Sequence, residues 1–229
     1  MYCDLNIPCS PNPDRASIDR LKLILSRLAQ FQECTAALNF TMEGEKIPTV
    51  SEKYDIAIEL LNCQFPLTIL TRVTIDTNEP LQPGIIQQLR NGFDLIALRT
   101  SNLSVFKEAC ASYDIDIISL SCTERMSFEL NSVDINKALE RFVFFELCYA
   151  NAIRDVQART YTMQVAKQLF EYGHGDKLII SSEAEIVSEL RNPADVFYFA
   201  KSIGLPNDKA KFTVEKNCEQ LLNIAQNRK

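Results

Sequence analysis

A chain of 229 residues, 46% hydrophobic and 24% charged, has the composition of a globular protein with room for a full core rather than of a disordered or fibrous one. No apolar run approaches the roughly 18 residues of a membrane span, and the start carries Asp4 and no basic leader, so the chain reads as soluble and intracellular. The net charge of −6 argues against unaided nucleic-acid binding, although the acidity is uneven: residues 1–150 hold 13 Lys/Arg against 20 Asp/Glu, and residues 151–229 hold 11 against 10.

The first apolar run, near Tyr2–Ile7, has strand length. It leads into Asn6-Ile-Pro-Cys-Ser-Pro-Asn-Pro13, which lacks the glycines of a nucleotide-binding Rossmann turn. Ile18, Leu21, Leu25 and Leu28 then recur at helical spacing after a Pro-Asp start. A second run near Thr35–Asn39 precedes Thr41–Glu52, whose acidic residues, Gly44 and Pro48 predict a surface loop. Further runs lie near Leu67–Val73, Asp94–Leu98 and Ile115–Leu120, with Leu103, Phe106 and Cys110 on a helix behind the cap candidates Ser101 and Asn102. Val143–Leu147 and Lys177–Ile180 complete the set, separated by a helix carrying Met163, Ala166 and Phe170 on one face. The next helix is punctuated at both ends: Asn192 as N-cap, Pro193 in the first turn, Gly204 as the stop and Pro206 beyond it.

Repeated βα units of this size predict a parallel sheet with right-handed crossovers. The glycine-free first turn favours an incomplete TIM-like (β/α) barrel of about seven parallel strands over a doubly wound sheet. With no linker, repeat or low-complexity tract, residues 1–229 read as a single barrel domain. The eight cysteines form no CxxC pair, and Cys34, Cys110, Cys148 and Cys218 fall in apolar patterns, as buried free thiols do.

A parallel barrel builds its site at the carboxyl ends of its strands. There the sequence places Asp4, Asn6, Asn39, Arg72, Arg99, Glu146 with Tyr149, and Ser181 with Ser182. The one histidine, His174 in Tyr-Gly-His-Gly-Asp, precedes a strand and belongs to the opposite face, so it reads as solvated. A histidine-based metal cluster is thereby excluded, and neither serine nor cysteine has its usual base. The enzymatic reading left open is a stand-alone metal-dependent phosphoesterase with an oxygen-only magnesium site at Asp4 and Glu146. Arginines favour a different chemistry, since their forks grip phosphate bidentately. Arg72, Arg154, Arg159 and Arg191, with Lys177 and the Ser181 and Ser182 hydroxyls, are the candidates for phosphate contact. The two serines suit helix capping equally well.

Several spaced motifs resemble a known family: Ile69-Leu-Thr-Arg-Val-Thr74, Phe93-Asp-Leu-Ile-Ala97, Phe145-Glu-Leu-Cys-Tyr149, Ala152-Ile-Arg-Asp155, Arg159-Thr-Tyr-Thr162, Ile179-Ile-Ser-Ser182, the Arg191/Pro193/Asp195 pattern and Asn217-Cys218. The chain resembles the thirty-kilodalton protein subunits of nuclear ribonuclease P and ribonuclease MRP, whose barrel is similar to that of the polymerase-and-histidinol-phosphatase (PHP) metallohydrolases. Those hydrolases carry Asp-x-His-x-His after the first strand and Asp-His at the second. Here the matching positions are Asp4, Asn6 and Pro8, then Asn39 and Phe40. The resemblance therefore implies a PHP-like barrel that has lost its metal site, with neither catalytic residue nor metal ligand of its own. It implies a subunit that supports RNA-catalysed removal of the tRNA 5′ leader and processing of rRNA precursors. Magnesium would belong to the RNA subunit, and the cut would leave a 5′-phosphate on the tRNA. Implied partners are the ribonuclease P and MRP RNAs, a Pop-five-type small subunit and its paralogue, and the other particle proteins, with pre-tRNA met indirectly and no membrane. The implied location is the nucleus, including the nucleolus. Relatives often continue into a basic tail; this chain closes at Arg228-Lys229, so tail-mediated RNA contact is not expected of it. Asp155 and Arg159, at a helix start, suit ordering a loop as well as touching RNA.

Overall fold

The computed structural model describes residues 1–44 and 46–229, Leu60 by its backbone alone. Seven parallel strands hydrogen-bond in chain order: β1 (Tyr2–Cys9), β2 (Cys34–Glu43), β3 (Leu67–Asp76), β4 (Leu95–Arg99), β5 (Ile117–Ser119), β6 (Phe144–Cys148) and β7 (Leu178–Ser181). The crossovers carry α1 (Arg15–Phe31), α2 (Ile85–Arg90), α3 (Leu103–Ala111), α4 (Ser132–Glu140), α5 (Ala150–Arg154) and α6 (Val156–Gly173). Beyond β7 come α7 (Pro193–Ser202), α8 (Asn207–Phe212) and α9 (Lys216–Arg228). The sheet curls into the expected nearly closed TIM-like barrel.

Local chemistry accounts for the helix starts. Asp14 accepts the Ser17 amide at 2.8 Å, Asn102 that of Ser104 at 2.8 Å, Asp155 that of Ala158 at 2.7 Å and Asn192 that of Asp195 at 3.0 Å. Asp155 thus orders the start of α6. His174 ends that helix in a left-handed conformation at φ 53° and is exposed, as its flanking glycines predict. One boundary differs from expectation. Thr41, Met42 and Glu43 extend β2 opposite Thr74, Ile75 and Asp76, because Met42 is buried between exposed Thr41 and Glu43 and so continues the strand alternation.

Period-two alternation sends one set of side chains outward under the helices and the other into the barrel. The outer set packs on Leu21, Ile24, Leu25 and Leu28 of α1, Phe106 of α3 and Ala166 of α6. The inner set, near the amino ends of the strands, is Cys3, Leu5, Ala37, Leu95, Ala97, Ile117, Phe144 and Ile179. It is closed from below by Cys218, Leu221 and Ala225 of α9, which acts as a plug. Cysteines 34, 110, 148 and 218 are buried free thiols, as expected.

β1 and β7 face each other without forming a ladder. An open seam would expose unsatisfied backbone donors. Here the Cys3 amide donates to Val214 O at 3.0 Å and the Ile180 amide to Thr213 O at 3.1 Å, so the turn before α9 stands in for the lower part of an eighth strand. Higher up, the Ser182 amide donates to Asp4 Oδ1 at 2.9 Å and the Glu183 amide to Asn6 O at 3.0 Å.

The plug yields a stability prediction. Leu221→Ala is expected to cost about 2–5 kcal/mol in urea denaturation by opening a cavity under the barrel, whereas exposed Gln220→Ala one position earlier should stay within about 0.5 kcal/mol.

Candidate functional site

Above the apolar plug layer the inward positions turn polar, and two of the charged ones are cut off from solvent altogether. A charge buried in a barrel persists only when it is paired and its remaining hydrogen-bonding capacity is met. Arg72 of β3 and Glu146 of β6 are both fully buried. They meet fork to fork, with Nη1 to Oε1 at 2.6 Å and Nη2 to Oε2 at 2.7 Å. Arg72 Nη1 also donates to Leu5 O at 2.8 Å and its Nε to Thr74 Oγ1 at 3.2 Å. Thr74 donates to Asn39 Oδ1 at 2.7 Å, Asn39 Nδ2 to Asn6 Oδ1 at 2.8 Å, and Asn6 Nδ2 back to Glu146 Oε2 at 3.3 Å. Ser181 Oγ completes the ring with a 2.8 Å bond to Glu146 Oε1.

Burial alone would raise the Glu146 pKa, but the Arg72 guanidinium, together with the Ser119 and Ser181 hydroxyls, outweighs it and holds the carboxyl down at about 2. The carboxylate is ionised and saturated. It is therefore unsuited to act as a base or to ligate an ion, which overturns the oxygen-only magnesium site at Asp4 and Glu146. Phe40 points the other way, out of the barrel, with its ring 5.3 Å from Tyr54 and 6.1 Å from Phe93.

Asp4 lies in the seam instead. Its Oδ1 accepts the Ser182 amide, while its Oδ2 is buried without a partner. Burial raises its pKa to about 6 against the opposing pull of the Ser182 hydrogen bonds.

Three candidates for phosphate contact are corrected by this geometry. Arg72, Ser181 and Ser182 are sealed inside the wall at no more than 1% exposure, so no external phosphate reaches them. Ser182 instead accepts the Ala184 amide at 3.1 Å in a local turn and does not cap a helix, since the next helical turn begins only at Val187.

At the carboxyl mouth lies a cavity of about 620 Å³, lined by Asp76, Arg99, Glu124, Arg125, Arg154, Glu183 and Glu185 among others. Two of its three arginines are neutralised. Arg99 Nη2 pairs with Glu183 at 2.6 Å, and Arg154 grips Glu189 through Nε at 2.5 Å and Nη2 at 2.7 Å. Arg154 also reaches Glu185 Oε1 at 3.1 Å and Glu183 O at 3.2 Å. Burial would raise the Glu189 pKa, yet the Arg154 bonds carry it below the usual carboxylate range. Arg154 thus braces the loop after β7. Lys177 is placed at the other end of the barrel, with Nζ 4.8 Å above the Phe142 ring.

Arg159 and Arg191 are brought together. They line a second cavity, of about 610 Å³, between α5, α6 and α7, with Tyr149, Met163, Asp195 and Phe199. Arg159 Nε donates to Ala152 O at 2.8 Å, and Arg191 Nη1 to Ser188 O at 2.9 Å and Leu190 O at 3.2 Å. The Arg191 amide donates to the Tyr149 hydroxyl at 3.1 Å. Sequence reasoning missed the pairing of Glu146 with Arg72. The available signal was a lone carboxylate and a lone guanidinium in strands apolar on both faces, each needing a buried partner.

Two solution tests follow. Glu146→Leu strands Arg72 and is expected to cost about 3–5 kcal/mol, while Arg72→Met with Glu146→Leu should recover most of that loss; equal losses in urea denaturation would contradict the buried pair. For Asp4 the folded pKa exceeds the unfolded one, so its favourable contribution is complete below the unfolded value of 3.8 and is lost as pH rises through about 6. Relative to Asp4→Asn, the wild type should therefore lose about 2.4 kcal/mol between pH 4 and pH 8, most of the shift at 1.36 kcal/mol per pKa unit. A pH-independent difference would show that Asp4 is not desolvated.

Comparison with known proteins places this architecture. A mouse (Mus musculus) protein named ribonuclease P protein subunit p30 is 32% identical over 190 residues, covering 82% of this chain and 71% of the mouse protein. The Arabidopsis thaliana protein GAMETOPHYTE DEFECTIVE 1 is 33% identical over 163 residues, 69% of this chain; the match spans only 28% of that longer protein. A chain in the cryo-EM structure of archaeal ribonuclease P with mature tRNA shares the fold at a TM-score of 0.67 and 17% identity, over 98% of this chain and 91% of that one. The sequence pattern of the family described as RNase P subunit p30 matches residues 1–229, and the chain belongs to that family.

Proposed function

We propose that this chain is a non-catalytic protein subunit of ribonuclease P and of ribonuclease MRP, serving RNA-catalysed removal of the tRNA 5′ leader and processing of rRNA precursors. The observation that carries the reading is the barrel centre. Where a hydrolase needs an available carboxylate and a base, Glu146 is locked to Arg72 and saturated with hydrogen bonds. Membership of the RNase P subunit p30 family supplies the particle. In this reading the RNA subunit holds the magnesium ions and makes the cut, leaving a 5′-phosphate on the tRNA.

The protein's share is to hold RNA and protein neighbours in place. Arg159 and Arg191 are the phosphate contacts that the geometry supports best, because neither guanidinium is paired with a carboxylate among the described residues. An acidic chain meets RNA more readily when a neighbour contributes further positive charge, a role suited to a Pop-five-type small subunit and its paralogue. Such a particle would work in the nucleus.

Affinity purification of the tagged chain, followed by RNA sequencing and a leader-cleavage assay, tests the proposal. The expected result is a discrete structured RNA and 5′-leader removal that disappears when the RNA is digested with nuclease. Leader cleavage by the RNA-free chain would contradict the non-catalytic assignment, and recovery of no discrete RNA would defeat the subunit reading.

A further inference from the structure

We infer that the cavity between α5, α6 and α7 is a receptor for one extruded nucleotide of single-stranded RNA, an inference that rests on the subunit reading above. Three kinds of chemistry converge there. The first is fixed, uncompensated positive charge. The Arg159 and Arg191 guanidinium groups are each held along one edge by backbone carbonyls, leaving Arg159 Nη1 and Nη2 and Arg191 Nε and Nη2 with no partner among the described residues. Carbonyl anchoring orients a guanidinium without cancelling its charge, so these forks are preorganised for phosphate oxygens.

The second is an apolar wall with an aromatic face. Ile153, Met163, Val196 and Phe199 line a space of about 610 Å³, which is ample for a base and its ribose. Aromatic and thioether side chains stack on any base, because every base has a π-face. The third is a hydrogen-bonding lip. Asp195 Oδ2 accepts from Asn192 Nδ2 at 2.7 Å, while its Oδ1 has no side-chain partner among the described residues, and Ser202 lies on the same cavity. A carboxylate at this position accepts from the exocyclic amine or ring N–H of a base.

An acidic, apolar peptide would satisfy the arginines and the wall but brings no planar ring with a donor edge for Asp195. A nucleotide satisfies all three, with its phosphates on the forks, its ring on the wall and its donor edge at Asp195. The mouth of the barrel is the poorer receptor. Its cavity sets Asp76, Glu124, Glu183 and Glu185, which repel phosphate, against Arg125 as its one arginine with no ion pair among the described residues, since Arg99 and Arg154 are already paired.

The test is ultraviolet cross-linking of the intact particle, purified through the tagged full chain, with linked peptides identified by mass spectrometry. Peptides from 149–163 or 191–202 should carry one discrete RNA position. Met163→Trp fills the cavity without changing charge, and Arg159→Ala with Arg191→Ala removes the forks. Each should lower that cross-link, normalised to the particle RNA recovered, about tenfold, the lower range of what one base stack contributes. Recovered RNA with cross-links only elsewhere, or an unchanged yield in both variants, would overturn the nucleotide receptor and leave the subunit reading intact. Chemical cross-linking of the same peptides to another protein would overturn it in favour of a protein interface. Failure to recover RNA with the wild-type chain would instead remove the subunit reading on which it rests.

Discussion

The Arg72–Glu146 pair organises the upper half of the barrel. A guanidinium and a carboxylate withdrawn from water at 2.6 Å cannot be left half-satisfied, so their neighbours are constrained to be polar and correctly aimed. Asn6 of β1, Asn39 of β2, Thr74 of β3 and Ser181 of β7 all occupy inward positions that the pair demands. Arg99 of β4 reaches Ser119 of β5 at 3.1 Å, and Ser119 in turn stabilises the Glu146 carboxylate. One polar layer thus runs through all seven strands. The same layer fixes the state of the central carboxylate: a cation covalently tethered to β3 neutralises it, and its oxygens are occupied by hydrogen bonds.

Below that layer the barrel is closed by other means. Seven strands leave β7 beside β1 with no ladder between them, and the chain answers with its last segment. Thr213 and Val214 offer carbonyls to the two strand edges, and α9 lays Cys218, Leu221 and Ala225 against the interior apolar residues. Arg228 then clasps the far side, donating to Ile115 O at 2.7 Å and Arg141 O at 2.8 Å. The residues that close the floor all come from one segment, 213–228.

The strands and caps were legible because each is a local property. Apolar runs of strand length mark all seven strands, and Asn102, Asn192 and Pro193 mark helix starts through contacts two or three residues away. The site was less legible because its pairs are distant in sequence: Arg72 and Glu146 lie 74 positions apart, and Arg154 and Glu189 lie 35 apart. Read alone, an arginine at a strand end or helix start looks available to a ligand. In the fold Arg72 is interior and Arg154 is a brace, whereas Arg159 and Arg191 keep open forks. Composition is a different kind of constraint, since a chain with one histidine cannot build a histidine cluster.

Net charge is a poor guide to anion binding in this protein, and the arginine environments explain why. Arg72, Arg90, Arg99, Arg154 and Arg228 each face a carboxylate, so five of the positive charges are cancelled within the fold and stabilise it. A global value of −6 counts those five equally with Arg159 and Arg191. What an incoming phosphate meets is the local remainder, and at the α5–α6–α7 cavity that remainder is set by two guanidinium groups against Asp195 alone. Backbone carbonyls hold those two groups in place, so orientation is obtained without neutralisation. At the barrel mouth carboxylates do the holding, and the result is a rigid rim with little attraction for RNA. At the α5–α6–α7 cavity carbonyl anchors thus leave the charge of Arg159 and Arg191 in place, whereas at the mouth carboxylate partners cancel that of Arg99 and Arg154.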